Sequence, residues 1–105
     1  MEIVGFDSVY ADNGNAKTET VIPTNQYWNV YQCAISSSSS NPGNAVLKLN
    51  GYVVAISYSG NSDYAEGTPL TKLNPGSKLT LEWSNLDVGQ NVICNASLLV
   101  ERILR

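Results

Sequence analysis

The sequence contains no histidine. Without imidazole, no Ser-His-Asp triad, Cys-His pair or His-ligated zinc site can be assembled within the chain. Charge is scarce as well. Asp, Glu, Lys and Arg make up 14% of the 105 residues, against the usual quarter or so. The formal net charge of -3 and pI near 4.6 give no electrostatic reason to expect nucleic-acid contact. No apolar run approaches the length of a transmembrane helix. The opening EIVGFDSVY lacks the basic start and apolar stretch of a signal peptide. The expectation is a complete, single domain over residues 1–105, with no membrane segment and no cofactor.

Cysteine is limited to Cys33 and Cys94. Adjacent across two sheets they would form one disulfide; without a secretory signal, two buried reduced thiols are the favoured reading. Two cysteines without histidine cannot complete a structural zinc site. The nine carboxylates include no pair that stands out as a general acid and its partner, so solvated surface charge is the simpler reading and no catalytic residue is assigned. Asp12-Asn-Gly-Asn15 is oxygen-rich but lacks the spacing and terminal glutamate of an EF-hand loop, and is read as a turn. Asn95-Ala-Ser97 matches a glycosylation sequon inside an expected strand and is treated as coincidence.

What is present is period-two alternation. Strands are expected near 2–10, 19–22, 28–36, 45–50, 52–58, 70–73, 78–83 and 90–103, separated by stretches rich in Gly, Pro, Asn, Asp and Ser. About eight short strands indicate an all-β, antiparallel β-sandwich, and the long connections at 36–44 and 59–68 suit a jelly-roll-like topology. The serine run Ser36–Ser40 reads as a flexible surface loop.

The strongest local signal is Asn50-Gly51, flanked by AVLKL and YVVAI. Asn and Gly tolerate the positive φ that a type I′ turn needs at both central positions. A plain two-residue hairpin pairs Leu49 with Tyr52, Leu47 with Val54 and Ala45 with Ile56, giving a core face of Leu47, Leu49, Tyr52, Val54 and Ile56. Val46, Lys48, Val53 and Ala55 then face outward. In the strand Lys78–Trp83, Leu79, Leu81 and Trp83 face inward and Lys78, Thr80 and Glu82 outward. The last strand puts Val92, Cys94, Ala96, Leu98 and Val100 on one face and Ile93, Leu99 and Ile103 on the other. Strands apolar on both faces mark Val46, Val53, Ala55, Leu99 and Ile103 as candidate interface residues for a second subunit. Tyr27, Tyr58 and Tyr64, at strand ends or in loops, are the candidate contacts for a ligand or partner.

The order Pro23, Tyr27-Trp28-Asn29-Val30, the Asn50-Gly51 hairpin, Gly67-Thr-Pro-Leu70 and Leu73-Asn-Pro-Gly-Ser-Lys-Leu-Thr-Leu81 resembles small β-sandwich virion proteins of tailed bacteriophages. The likeness is greatest to jelly-roll-like capsid decoration (cement) proteins and spans residues 20–103. It implies a non-catalytic structural protein, made in the host cytoplasm and located on the capsid surface of the virion. Its partners would be further copies of itself, a trimer being favoured, and the major capsid protein, with neither nucleic acid nor membrane involved. The alternative is a carbohydrate- or receptor-binding module of a tail or fibre. An adaptor that binds a host protein through an exposed edge strand is a third reading.

Overall fold

Alternating apolar and polar residues become ten strands among the residues described. The computed structural model describes residues 2–58, 62–67, 70–89 and 91–104, with the backbone alone for 62–67, 70 and 71. The strands are β1 (Glu2–Gly5), β2 (Val9–Tyr10), β3 (Ala16–Val21), β4 (Gln26–Ser37), β5 (Asn44–Leu49), β6 (Tyr52–Ser57), β7 (Ser62–Gly67), β8 (Leu70–Leu73), β9 (Lys78–Ser84) and β10 (Ile93–Leu104). Every pairing described is antiparallel.

These strands fill eight positions in two sheets. In the first sheet β1 and β2 share one flank of β10, β4 lies on the other, and β7 and β8 share the far flank of β4. The second sheet runs β3, β9, β5, β6. This interleaved order is the jelly roll expected from the sequence. The expected first strand splits into β1 and β2 around Phe6–Ser8. Part of the expected loop at 59–68 is instead β7, which pairs with β4 through Ser62–Ala65 and with β6 through Glu66 and Gly67. Residues 59–61 and 68–69 lie outside those described.

The core is the space between the sheets. Ile22, Leu79, Leu81, Trp83, Val92, Cys94, Leu98 and Val100 are almost wholly buried, each burial of a large apolar side chain contributing about 1.5–3 kcal/mol. Every expected inward residue of β9 and β10 is among the buried ones. The buried Trp28 indole donates to Gln26 Oε1 at 2.9 Å, which satisfies its one polar group. Cys33 lies opposite Leu98, four residues along β10 from Cys94. That separation is about 13 Å at ~3.3 Å per residue, beyond the ~7 Å Cα limit for a disulfide. Both are free thiols, and burial pushes Cys33 up to about 12 and Cys94 to about 11.

The hairpin corrects one expectation. Asn50 and Gly51 have φ of 50° and 89°, as a type I′ turn requires, and Leu49 pairs with Tyr52 as expected. Beyond the turn, however, the register shifts, with Lys48 opposite Val53 and Leu47 opposite Ala55. One extra residue on β6 reverses its inside-outside order. Ala55 is therefore core, at 8% exposure, and cannot be an interface residue, while Ile56 is exposed. Tyr52, at 79% exposure beside the turn, is not core either. Thr80 does point outward, yet it is buried.

The serine run is also not a loose loop. Ser39 is buried, and its hydroxyl donates to Asn41 O at 2.8 Å and accepts from Asp87 N at 3.0 Å. Ser40 N donates to Asp87 Oδ2 at 2.7 Å, and Asn41 Nδ2 donates to Asn85 O at 2.8 Å. These bonds fasten 39–41 to the loop at 85–89, where side-chain hydrogen bonds replace a backbone ladder. Asp12 and Asn15 close a two-residue turn by mutual backbone bonds of 2.7 and 3.1 Å, with Asn13 and Gly14 at positive φ.

Candidate functional site

Two outer faces are available for function. On the first sheet, β10 turns Asn95, Ser97, Leu99, Glu101 and Ile103 outward because the intervening residues Cys94 to Val100 fill the core. Across the ladder Ser97 meets Ala34, Leu99 meets Gln32, Glu101 meets Asn29 and Ile103 meets Tyr27. On the open flank β1 adds Ile3 beside Leu99 and Gly5 beside Ser97. Small residues in the Gly5–Ser97–Ala34 row leave a shallow groove of about 180 Å³ against Ile3, Gln32 and Leu99.

Ladder irregularities converge next to that row. Trp28 and Val30 are buried, as are Cys33 and Ile35, which leaves two consecutive exposed residues, Tyr31 and Gln32, on the outer side. Val100 pairs with Val30 and Leu99 with Gln32, so Tyr31 is the extra residue of a β-bulge. The other flank of β4 is irregular too, with Trp28 opposite Leu73 but Val30 opposite Leu70. There Lys72 adopts φ 59°, a left-handed conformation that costs a non-glycine residue roughly 1–2 kcal/mol. Its N–H donates to Asn29 Oδ1 at 2.5 Å, and Asn29 Nδ2 donates to Glu101 Oε1 at 3.1 Å. One side-chain amide thus ties both irregularities together.

The outer face of the second sheet holds a larger groove of about 570 Å³, lined by Asp12, Asn15, Lys17, Val46, Val53 and Glu82 among others. Lys48 Nζ pairs with Glu82 Oε2 at 2.9 Å, and Lys78 Nζ with Glu19 Oε2 at 3.2 Å. The hydrogen bond from Lys78 holds the Glu19 carboxyl below its ordinary value. Among the described residues, no group of three or more Cys, Asp or Glu side chains is placed to hold a metal ion. No helix of the described chain is long and apolar enough to cross a membrane.

The sequence-selected residues therefore do not form one patch. Val46 and Val53 line the groove of the second sheet, Leu99 and Ile103 lie on the opposite face of the molecule, and Ala55 is inside. Tyr27 is half-buried beside Ile103 near one end of the sandwich, whereas Tyr58 is exposed beyond β6 at the other. Tyr64 occupies a β7 backbone position opposite Ala34, and its side chain lies outside the described residues. Sequence reasoning missed Tyr31. Its signal was present: the inward spacing Trp28, Val30, Cys33, Ile35 breaks strict alternation at Tyr31-Gln32.

No family model matches the chain, and no curated protein matches it. Among solved structures, the chain is similar to the insecticidal delta-endotoxin Cry8Ea1 from Bacillus thuringiensis, with a TM-score of 0.53 and 18% identity over 91% of this chain. The match takes in 19% of the toxin, so this chain spans about a fifth of that protein's length. A CBM36-1 domain of a multidomain xylanase from the hindgut metagenome of Trinervitermes trinervoides aligns with a TM-score of 0.37 and 17% identity, over 88% of this chain and 75% of that one. The toxin match supports the sandwich fold and nothing beyond it; the second alignment is too distant to bear on this chain.

Proposed function

We propose that the chain is a non-catalytic virion protein of a tailed phage, a capsid decoration protein that self-associates on the head, with a trimer favoured and the major capsid protein as its partner. The phage assignment rests on the sequence resemblance. Assembly is supported by one observation, the exposed edge strand β1. Edge strands of monomers are normally guarded by charge, proline or a bulge. Here Ile3 is 72% exposed at the strand centre, next to half-buried Leu99, and the only charge, on Glu2, is engaged by Arg102 Nε at 2.5 Å. A second copy covering Ile3 and Leu99 removes that apolar strip from water.

Light scattering coupled to size exclusion tests this reading. The wild-type chain is expected to run as an oligomer at micromolar concentration, and Ile3→Lys as a folded monomer that no longer co-sediments with undecorated phage heads. A wild-type monomer with no affinity for heads overturns it.

A second reading, a carbohydrate- or receptor-binding module, is supported by the bulge that exposes Tyr31 beside Asn29 and Glu101.

A further inference from the structure

We infer that Tyr31, Tyr27, Asn29 and Glu101, on the outer face of the first sheet, form a binding site for a neutral oligosaccharide. The inference rests on the second reading above and names its site. Three observations carry it.

First, the backbone departs from regular pairing on both flanks of β4 within a few residues of Asn29, at Tyr31 and at Lys72. Bulges and left-handed non-glycine residues gather where a sheet must aim a side chain, because the strain has to be held by its surroundings. The extra residue at Tyr31 leaves Tyr31 and Gln32 exposed together between buried Val30 and Cys33, with Tyr31 47% exposed. Without the bulge, alternation would carry one of the two residues at 31–32 into the core or out of the strand.

Second, the polar groups beneath are pre-positioned. Asn29 is fixed at both ends, accepting from Lys72 N and donating to Glu101 Oε1. The fixed amide orients the Glu101 carboxylate, whose remaining lone pairs face solvent on an exposed residue and can accept hydrogen bonds from vicinal hydroxyls. Holding these acceptors before the ligand arrives lowers the ordering cost of binding.

Third, the aromatic spacing fits an extended ligand. Tyr27 and Tyr31 lie on the same face four residues apart, about 13 Å along the strand at ~3.3 Å per residue, so a ligand touching both is longer than one sugar ring. A tyrosine ring presents an apolar face for the C–H surface of a pyranose and a polar edge for its hydroxyls. The charges decide against an acidic glycan. Glu101 is an exposed carboxylate at the site, the chain carries a formal net charge of -3, and Arg102 is already engaged by Glu2.

The test is a glycan array carrying neutral and acidic oligosaccharides, followed by calorimetric titration of the best binder into the wild-type chain. Neutral glycans are expected to bind, Tyr31→Ala to weaken the affinity at least tenfold and Tyr31→Phe to keep it. Glu101→Ala is expected to weaken it severalfold, with every variant keeping the wild-type circular dichroism spectrum. Binding that survives Tyr31→Ala overturns this site while leaving the module reading. Absence of binding to every glycan overturns both, and a preference for acidic glycans overturns the assigned ligand class.

Discussion

Replacing Gly43 with alanine would measure how closely the serine-rich segment is clasped to the 84–86 strand end. Gly43 has φ 58°, and a Cβ built there meets Ser84 O at 2.5 Å, Leu86 Cδ2 at 2.9 Å and Asn85 C at 3.2 Å. Two of these are backbone atoms, and Leu86 is itself buried. The left-handed conformation costs an alanine about 1–2 kcal/mol. Overpacking against atoms that cannot swing away adds about 1–3 kcal/mol. The stiffer unfolded chain offsets about 0.4–1 kcal/mol of that. The expected loss is about 3 kcal/mol. With an unfolding entropy of ~2.1 cal/mol/K per residue, a chain of 105 residues loses roughly 14 °C in Tm. Gly51→Ala is the internal control: its φ of 89° is no kinder to alanine, but nothing lies within 4 Å of the added Cβ. Urea unfolding of both variants separates backbone strain from packing. If Gly43→Ala costs no more than Gly51→Ala, the clasp described for this loop is wrong.

Two further substitutions test the reversed register of the hairpin. Val53→Lys, on an exposed outward position, is expected to change stability by no more than about 0.5 kcal/mol, whereas Ala55→Lys buries an unpaired charge and should cost at least about 3 kcal/mol in denaturant titration; equal effects would restore the unbulged pairing. The thiols give a pH test. Their folded pKa values lie above the ordinary cysteine value near 9, so the native state holds more protons there. The thiols' contribution to stability should therefore be flat well below pH 9 and decline as pH rises from about 9 toward 12. Cys33→Ala combined with Cys94→Ala should flatten that decline, and in the wild type at neutral pH both thiols should react with a disulfide reagent only as fast as the chain opens.

Much of the fold was legible because its signals are local. Asn50-Gly51 states its turn type through backbone sterics, and Leu79, Leu81 and Trp83 state their face through simple alternation. The bulge in β6 was hidden because Val53-Val54-Ala55 are all apolar, so a one-residue slip changes no visible pattern. Strand β7, with the sequence Ser-Asp-Tyr-Ala-Glu-Gly, carries little apolar signal, and its longer pairing is with β4, a strand distant in sequence. The serine run was misread for a different reason: composition describes what a free segment does, whereas Asp87 and Asn85 supply partners from across the fold. Of the candidate site, Tyr27 and the outward faces of Leu99 and Ile103 were readable. Asn29, Glu101 and Tyr31 come together only through register, which no single strand reveals.

Strand β7 also decides how this molecule can come apart. By pairing with β4 at one end and β6 at the other, it works as a spine along one long edge of the sandwich. At the opposite edge the described backbone pairing between β2 and β3 is the Asp12–Asn15 bridge at their connecting turn, and a Thr18 hydroxyl bond to Asp7 O at 2.9 Å adds a side-chain tie. Transient opening is cheapest where the fewest bonds must break together, so the two leaves part first at β1 and β3 and last at β7. A partner that grips β1 therefore pulls on the fore-edge and peels the fold, while a load borne by β4 is carried by the binding.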